Sequence, residues 1–179
     1  MTMSIQSKDE IERFYTHPDP WGYSGSKDDE TRGKRLLSVL PKRHYERVLD
    51  IGCGEGFVTR QLPGESIVGI DLSANAIAFA HSLADSRTKY QQMSFFDLPH
   101  AGWAHSFDLI VITGVLYPQY IGEGNRLATV IVDELLRNGG HLVTAHIFEW
   151  YRLRFPYTTL VREYYGYREY THVLEVYEK

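Results

Sequence analysis

The residues best equipped for chemistry crowd into one loop, Asp50-Ile51-Gly52-Cys53-Gly54-Glu55-Gly56. Glycines let a chain turn sharply and let a ligand approach the main chain. The apolar run Val48 to Ile51 leads in as a buried parallel strand would. The loop is then expected to open a helix, at the strand end where open α/β sheets bind ligands. Spacing narrows the choice of ligand. A dinucleotide loop needs a third glycine at position 57, which is Phe57; here the third glycine is Gly56. An acid at Asp50 suits a cation better than a pyrophosphate. The ammonium and sulfonium of S-adenosylmethionine (SAM) meet that condition, and an NAD-dependent oxidoreductase stands as the alternative.

Further candidates follow the next two strands. Asp71 ends the apolar run Ile67 to Ile70, where a carboxylate can accept from both ribose hydroxyls. Asp97 can accept from an adenine amino group while its neighbour Phe96 covers the ring, although an acid there also serves as a plain turn residue. Leu72 and Thr113 complete the expected cofactor set, with Cys53 a small residue tolerated in the loop. Upstream, Trp21 and Tyr15 are placed to cover a cofactor, and Arg32 to pair with its carboxylate. If the donor is a sulfonium, catalysis consists largely of alignment and exclusion of water. A hydroxyl acceptor adds a need for a base, and an amine must lose a proton. His146, near the end of the fifth strand, is the candidate base. Tyr117, after the fourth, is the candidate for orienting the acceptor, and Glu149 is a third choice. Each of these also reads as a packing or surface residue.

Those side chains need a scaffold. Ser7 to Tyr15 reads as a short helix, and His17 to Gly25, rich in proline and glycine, as a loop. Asp28 to Leu40 reads as a second helix stopped by Pro41. Strands are expected at Val48–Ile51, Ile67–Ile70, near Tyr90–Ser94, at Phe107–Ile112 and at His141–Phe148. Between them lie a helix from Ala74 to Ala84, capped by Ser73, and one from about Asn125 to Leu136. Asn138-Gly139-Gly140 is read as the stop of the latter. Val161 to Glu169 and Thr171 to Tyr177 alternate with period two and have no helix between them, so they should pair as an antiparallel hairpin. The pattern predicts an α/β domain: a seven-stranded, mostly parallel sheet with helices on both faces and a C-terminal antiparallel hairpin. Residues 1–40 are read as N-terminal helices and lid, and 41–179 as the core.

Bulk properties exclude some classes. The 179 residues suit one domain, and the net charge of −4 argues against nucleic acid as a partner. The lone cysteine forms no internal disulfide, and no Cys/His cluster has zinc spacing, so no metal is expected. No run suggests a signal peptide or a membrane span, which predicts a cytoplasmic monomer or homodimer without membrane contact.

The run Val48 to Gly56 resembles motif I of the class I SAM-dependent methyltransferases. Asp71, Asp97 and the Phe107 to Ile110 strand fall where that superfamily's later motifs fall. The resemblance implies a Rossmann-like core, SAM as cofactor and S-adenosylhomocysteine (SAH) as product. Within the superfamily, Asp19-Pro20-Trp21, the Arg32 to Leu37 helix and Val115-Leu116-Tyr117 resemble the nodulation protein S (NodS) type, whose members methylate an amino group on a chitooligosaccharide. Nucleic-acid amino methyltransferases carry an Asn/Asp-Pro-Pro-aromatic tetrad where this chain has Thr113-Gly114-Val115-Leu116. The nucleophilic cysteine of cytosine enzymes and the paired glutamates of protein arginine enzymes are also missing. The expectation is methyl transfer to N or O of a small polar acceptor, a sugar or sugar-containing metabolite suiting best. A catalytically silent SAM-binding protein is the remaining alternative.

Overall fold

The structure is a computed structural model and describes residues 5–122, 124–152 and 154–179. Two helices come first. Helix α1, Lys8–Phe14, starts at a reciprocal cap: the Ser7 hydroxyl accepts from the Glu10 amide while the Glu10 carboxylate accepts from the Ser7 amide. Helix α2, Lys27–Ser38, starts at Ser26 and carries Asp28, Asp29 and Glu30 in its first turn, where the helix dipole favours negative charge.

The sheet follows: β1 Arg47–Ile51, β2 Ser66–Asp71, β3 Thr88–Gln92, β4 Phe107–Thr113, β5 Leu136–Ile147, β6 Thr158–Tyr167 and β7 Tyr170–Glu178. Helix α3, Ala74–Ser82, precedes β3, while α4, Pro118–Ile121, and α5, Asn125–Leu135, precede β5. The strands lie in the order β3-β2-β1-β4-β5-β7-β6. The first five run parallel, and β7 inserts antiparallel between β5 and β6. Both faces are covered. Leu36 and Leu40, in and just after α2, pack against Val48, Ile67 and Val111. Ala128, Ile131 and Leu135 of α5 pack against Leu49, Ile110 and Ile112 in a second cluster. Burial on both faces explains the apolar character of β1 and β4, interrupted by Asp50 and Asp108. Strand order reverses between β1 and β4, and that switch point sets the site.

Four elements differ from the sequence reading. The glycine loop opens no α-helix, only a 3₁₀ turn at Thr59–Gln61. Pro63 lacks an amide proton, and Leu62 before it is extended at φ −64°, ψ 142°. Strand β3 begins two residues early because the Asp85 carboxylate captures the Arg87 and Thr88 amides and turns the chain there. Ser94 instead caps a 3₁₀ segment, Phe95–His100. Asn138-Gly139-Gly140 does not stop α5, which ends at Leu135 and runs straight into β5. Those glycines occupy an irregularity where the β4–β5 register shifts; Gly139, at φ 72°, donates its amide to Lys179 O at 2.8 Å. The turn α4 had no counterpart in the sequence reading.

Candidate functional site

The glycine loop is shaped by contacts that leave no room for side chains. Gly52 sits at φ 74°, and a Cβ there would lie 2.1 Å from Val115 Cγ2. Gly56, at φ 75°, would bring a Cβ within 2.3 Å of the Tyr90 hydroxyl. The amides of Gly52 and Cys53 both donate to Ile70 O, at 2.8 and 2.9 Å, pinning the loop to the end of β2.

Two acids meet there in different surroundings. Asp50 is 1% exposed. One of its oxygens accepts from Thr59 Oγ1 at 2.6 Å, and the other has no partner among the described residues. Burial pushes its pKa up to about 7, against the pull of the Thr59 hydrogen bond. Asp71 accepts from the Ser73 and Gly54 amides, both at 2.9 Å. Burial raises its pKa as well, and those amides oppose the rise.

The N-terminal segment forms the facing wall. Asp19, at φ 56°, folds the loop by accepting from the Tyr23 and Ser24 amides at 2.6 and 2.7 Å. Its own amide donates to Glu55 Oε1 at 2.7 Å, tying that wall to the glycine loop. Trp21 stacks on Phe14 with centroids 5.3 Å apart and donates its indole N–H to the Tyr15 hydroxyl at 3.2 Å. Tyr15 is buried over Gly54. The Arg32 guanidinium lies 5.1 Å from the Tyr23 ring centre and 5.3 Å from that of Tyr167, with Asp29 at 3.3 Å.

One cleft thus gathers Asp50, Gly52, Cys53 and Gly54 from the loop, Thr113 from β4, and Trp21 and Arg32 from the N-terminal segment. Asp71 stands behind Gly54, and Gly56 faces Tyr90. Leu72, Phe96 and Asp97 do not line this cleft. Asp97 is exposed in its 3₁₀ segment, and Phe96 packs edge-on against Phe95.

The structure does not bring the two catalytic candidates to the cleft. His146 is 2% exposed and lines a separate cavity beside β6 and β7, because its alternation along β5 carries it to the face of Tyr151. Burial lowers its pKa to about 4. The Tyr117 hydroxyl accepts from the Ile147 amide at 2.8 Å and so holds the end of β5; burial raises its pKa to about 12. Glu149 accepts from the Thr171 amide at 3.4 Å, also outside the cleft.

Several participants escaped the sequence reading. The Glu12 carboxylate accepts from the Ser73 hydroxyl and, at 3.1 Å, from the Ala74 amide, so α1 caps α3 beside Asp71. Buried Asp29 accepts from the Tyr167 hydroxyl at 2.6 Å, and Arg168 donates to Trp21 O at 2.7 Å. These ties fasten the N-terminal wall to the β6–β7 hairpin. Nothing local in the sequence marks them. Among the described residues no cluster of three or more His, Cys, Asp or Glu is arranged to hold a metal, and no helix is long and apolar enough to cross a membrane.

Comparison with known proteins places this geometry. Residues 42–165 match a family described as a methyltransferase domain. The trans-aconitate 2-methyltransferase of Deinococcus radiodurans is 31% identical over 129 residues, covering 69% of this chain and 47% of that protein. A tRNA U34 carboxymethyltransferase of Pseudomonas paraeruginosa is 31% identical over 105 residues, covering 55% of this chain and 31% of that protein. The chain spans about half the length, or less, of the curated relatives it matches. The N-methyltransferase NodS of Bradyrhizobium japonicum WM9, solved with SAH, superposes with a TM-score of 0.80 at 22% identity, covering 96% of this chain and 97% of that one. With its seven-stranded sheet, its glycine loop at the switch point and a family match over most of its length, the chain belongs to the methyltransferase-domain family and has the class I SAM-dependent methyltransferase fold.

Proposed function

We propose that the chain transfers a methyl group from SAM to a nitrogen or oxygen of a small polar acceptor. The observation that carries the cofactor is Asp50: a buried carboxylate oxygen without a partner among the described residues, on the wall of a cleft where Gly52 admits no side chain. An orphaned buried acceptor calls for a donor, and a cationic donor lowers the raised pKa that burial imposes. An ammonium group meets both needs, so the residues fit SAM. Asp50 would receive the ammonium and Arg32 the carboxylate of its amino-acid end. Asp71 would take the ribose hydroxyls, with Leu72, Phe96 and Asp97 around the adenine and Thr113 beside the reacting end.

When bound, SAM supplies a methyl activated on a sulfonium. The chain's own residues then need mainly to align and to exclude water. Trp21, Tyr15 and the loop around Asp19 are suited to act as the cover, with residues 5–40 as a lid over the core; residues 1–4 of that expected lid lie outside the described residues. Asp19, Asp50 and Glu55 stand among the walls of the cleft, so either an amine or a hydroxyl could give up its proton there. Aromatic rings around the entrance suit a sugar or sugar-containing metabolite, and the net charge of −4 disfavours nucleic acid. An NAD-dependent oxidoreductase is the weaker reading, because Phe57 stands where the third glycine would be.

The test is a thermal-shift series followed by transfer of radiolabelled methyl. SAH should raise the melting temperature while NAD, NADP and ATP do not. Label should pass from SAM to small polar metabolites rather than to RNA or protein. A dinucleotide that binds more tightly than SAH would overturn the cofactor, and label passing only to RNA would overturn the acceptor.

A further inference from the structure

A second cavity, of about 200 Å³, opens between the end of β5 and the β6–β7 hairpin. That is room for several waters or one small organic molecule. Its walls include Arg152, Arg154, Arg162, Glu175, His146 and Tyr151. Only one carboxylate offsets three guanidiniums. Glu175 is 4% exposed and is engaged at 2.6 Å by Arg162 Nε. Arg152 lies over the Phe148 ring at 5.1 Å. Among the described residues no carboxylate lies within ion-pair distance of Arg152 or Arg154.

Buried polar groups in the same walls are left without partners. His146 and Tyr151 are 2% and 4% exposed, yet His146 Nδ1 and the Tyr151 hydroxyl make no hydrogen bond among the described residues; nor does Arg162 Nη2. Buried polar groups are nearly always satisfied, so unpaired atoms behind these walls mark them as polar rather than apolar. The imidazole carries no charge near neutral pH, since burial holds its pKa at about 4. The arginines therefore set the sign of the site.

We propose that this cavity binds a small molecule through a carboxylate or phosphate group, gripped by Arg152, Arg154 and Arg162. Guanidinium forks match such oxyanions in geometry as well as charge. The site is distinct from the glycine-loop cleft, shares no lining residue with it, and does not depend on the cofactor assignment.

The experiment uses the full chain with ¹⁵N-labelled histidine. Inorganic phosphate and citrate are titrated separately against chloride at matched ionic strength, following the His146 ring resonances. Saturable movement with phosphate or with citrate is expected, and the tighter of the two identifies the anion class. The double variant Arg152→Gln/Arg154→Gln should weaken that binding at least tenfold. Both side chains are exposed, so the fold should survive, and the SAH-induced melting shift should stay unchanged in the same sample. His146 signals that ignore both anions, that drift linearly as they do with chloride, or that titrate identically in the double variant would overturn the site. A missing SAH shift in the wild type would count against the cofactor reading alone.

Discussion

The glycine loop and the hairpin edge are built from opposite materials. At the loop the main chain is the structure: Gly52, Gly54 and Gly56 hold φ of 74°, 53° and 75°, and side chains at Gly52 and Gly56 would collide with Val115 and Tyr90. At the hairpin edge the side chains are the structure: Arg162 and Glu175 meet across β6 and β7, and His146 and Tyr151 close in from β5 and the segment after it. A site made of backbone tolerates almost no added atom. A site made of converging side chains tolerates added atoms but answers sharply to lost charge.

Gly52→Ala should have the largest effect. Its Cβ would overlap Val115 and its φ is disfavoured for L-residues, so a loss of about 2–4 kcal/mol is expected, and the SAH-induced melting shift should vanish. Urea midpoints read the first and thermal shift the second; near-native values in both would dissolve the contrast. Next comes Asp71→Ala, which strips the acceptor from the Gly54 and Ser73 amides. SAH affinity should drop about tenfold or more, since hydrogen bonds to charged groups contribute roughly 1.5–3 kcal/mol. Calorimetry showing unchanged affinity would remove Asp71 from the ribose role.

Asp50 sharpens the comparison through pH. Its folded pKa is raised from 3.8 to about 7, so the folded state holds the proton more tightly than the unfolded chain. Stability is therefore greatest below about pH 4 with respect to this group and declines as pH rises through 7. Asp50→Asn should raise stability by about 1–3 kcal/mol at pH 8 and much less at pH 5, one pKa unit being worth about 1.4 kcal/mol. SAH binding to the wild type should weaken below pH 7 as Asp50 is protonated, and the variant should bind weakly with a flat profile. Equal pH dependence in both would detach Asp50 from the ligand. The smallest effect belongs to Gly166→Ala in β6. No atom lies within 4 Å of its Cβ position and its φ is not left-handed, so stability should move by about 0.5 kcal/mol or less. A loss as large as that of Gly52→Ala would show the hairpin to be backbone-limited too.

The same contrast explains what could be read from the sequence. Asp50 to Gly56 are consecutive, and their spacing encodes a local conformation, so both loop and strand were legible. The seven strands and the terminal hairpin were legible through apolar runs and alternation. The missing helix after the loop turns on Pro63-Gly64, a stop that the reading of the loop left out of account. His146 stood at the right strand end, but alternation along β5 points it to the Tyr151 face. Tyr117 was placed correctly after β4, yet its hydroxyl serves Ile147. Glu12, Asp29 and Arg168 left no trace in the sequence, because their partners lie 61, 138 and 147 residues away.

That last separation fixes an order of events at the ribosome. β1 to β4 can pair as soon as they emerge, so the glycine loop takes shape early. Trp21 and Asp29 must wait for Arg168 and Tyr167. At about 5–20 residues per second, the delay is on the order of ten seconds. Through that interval the wall is held by its ties to the loop and to α3, Asp19 to Glu55 and Glu12 to Ser73, and lacks only its fastening to the hairpin. The hairpin thus adds the final ties, Tyr167 to Asp29 and Arg168 to Trp21, to a wall already set against the loop.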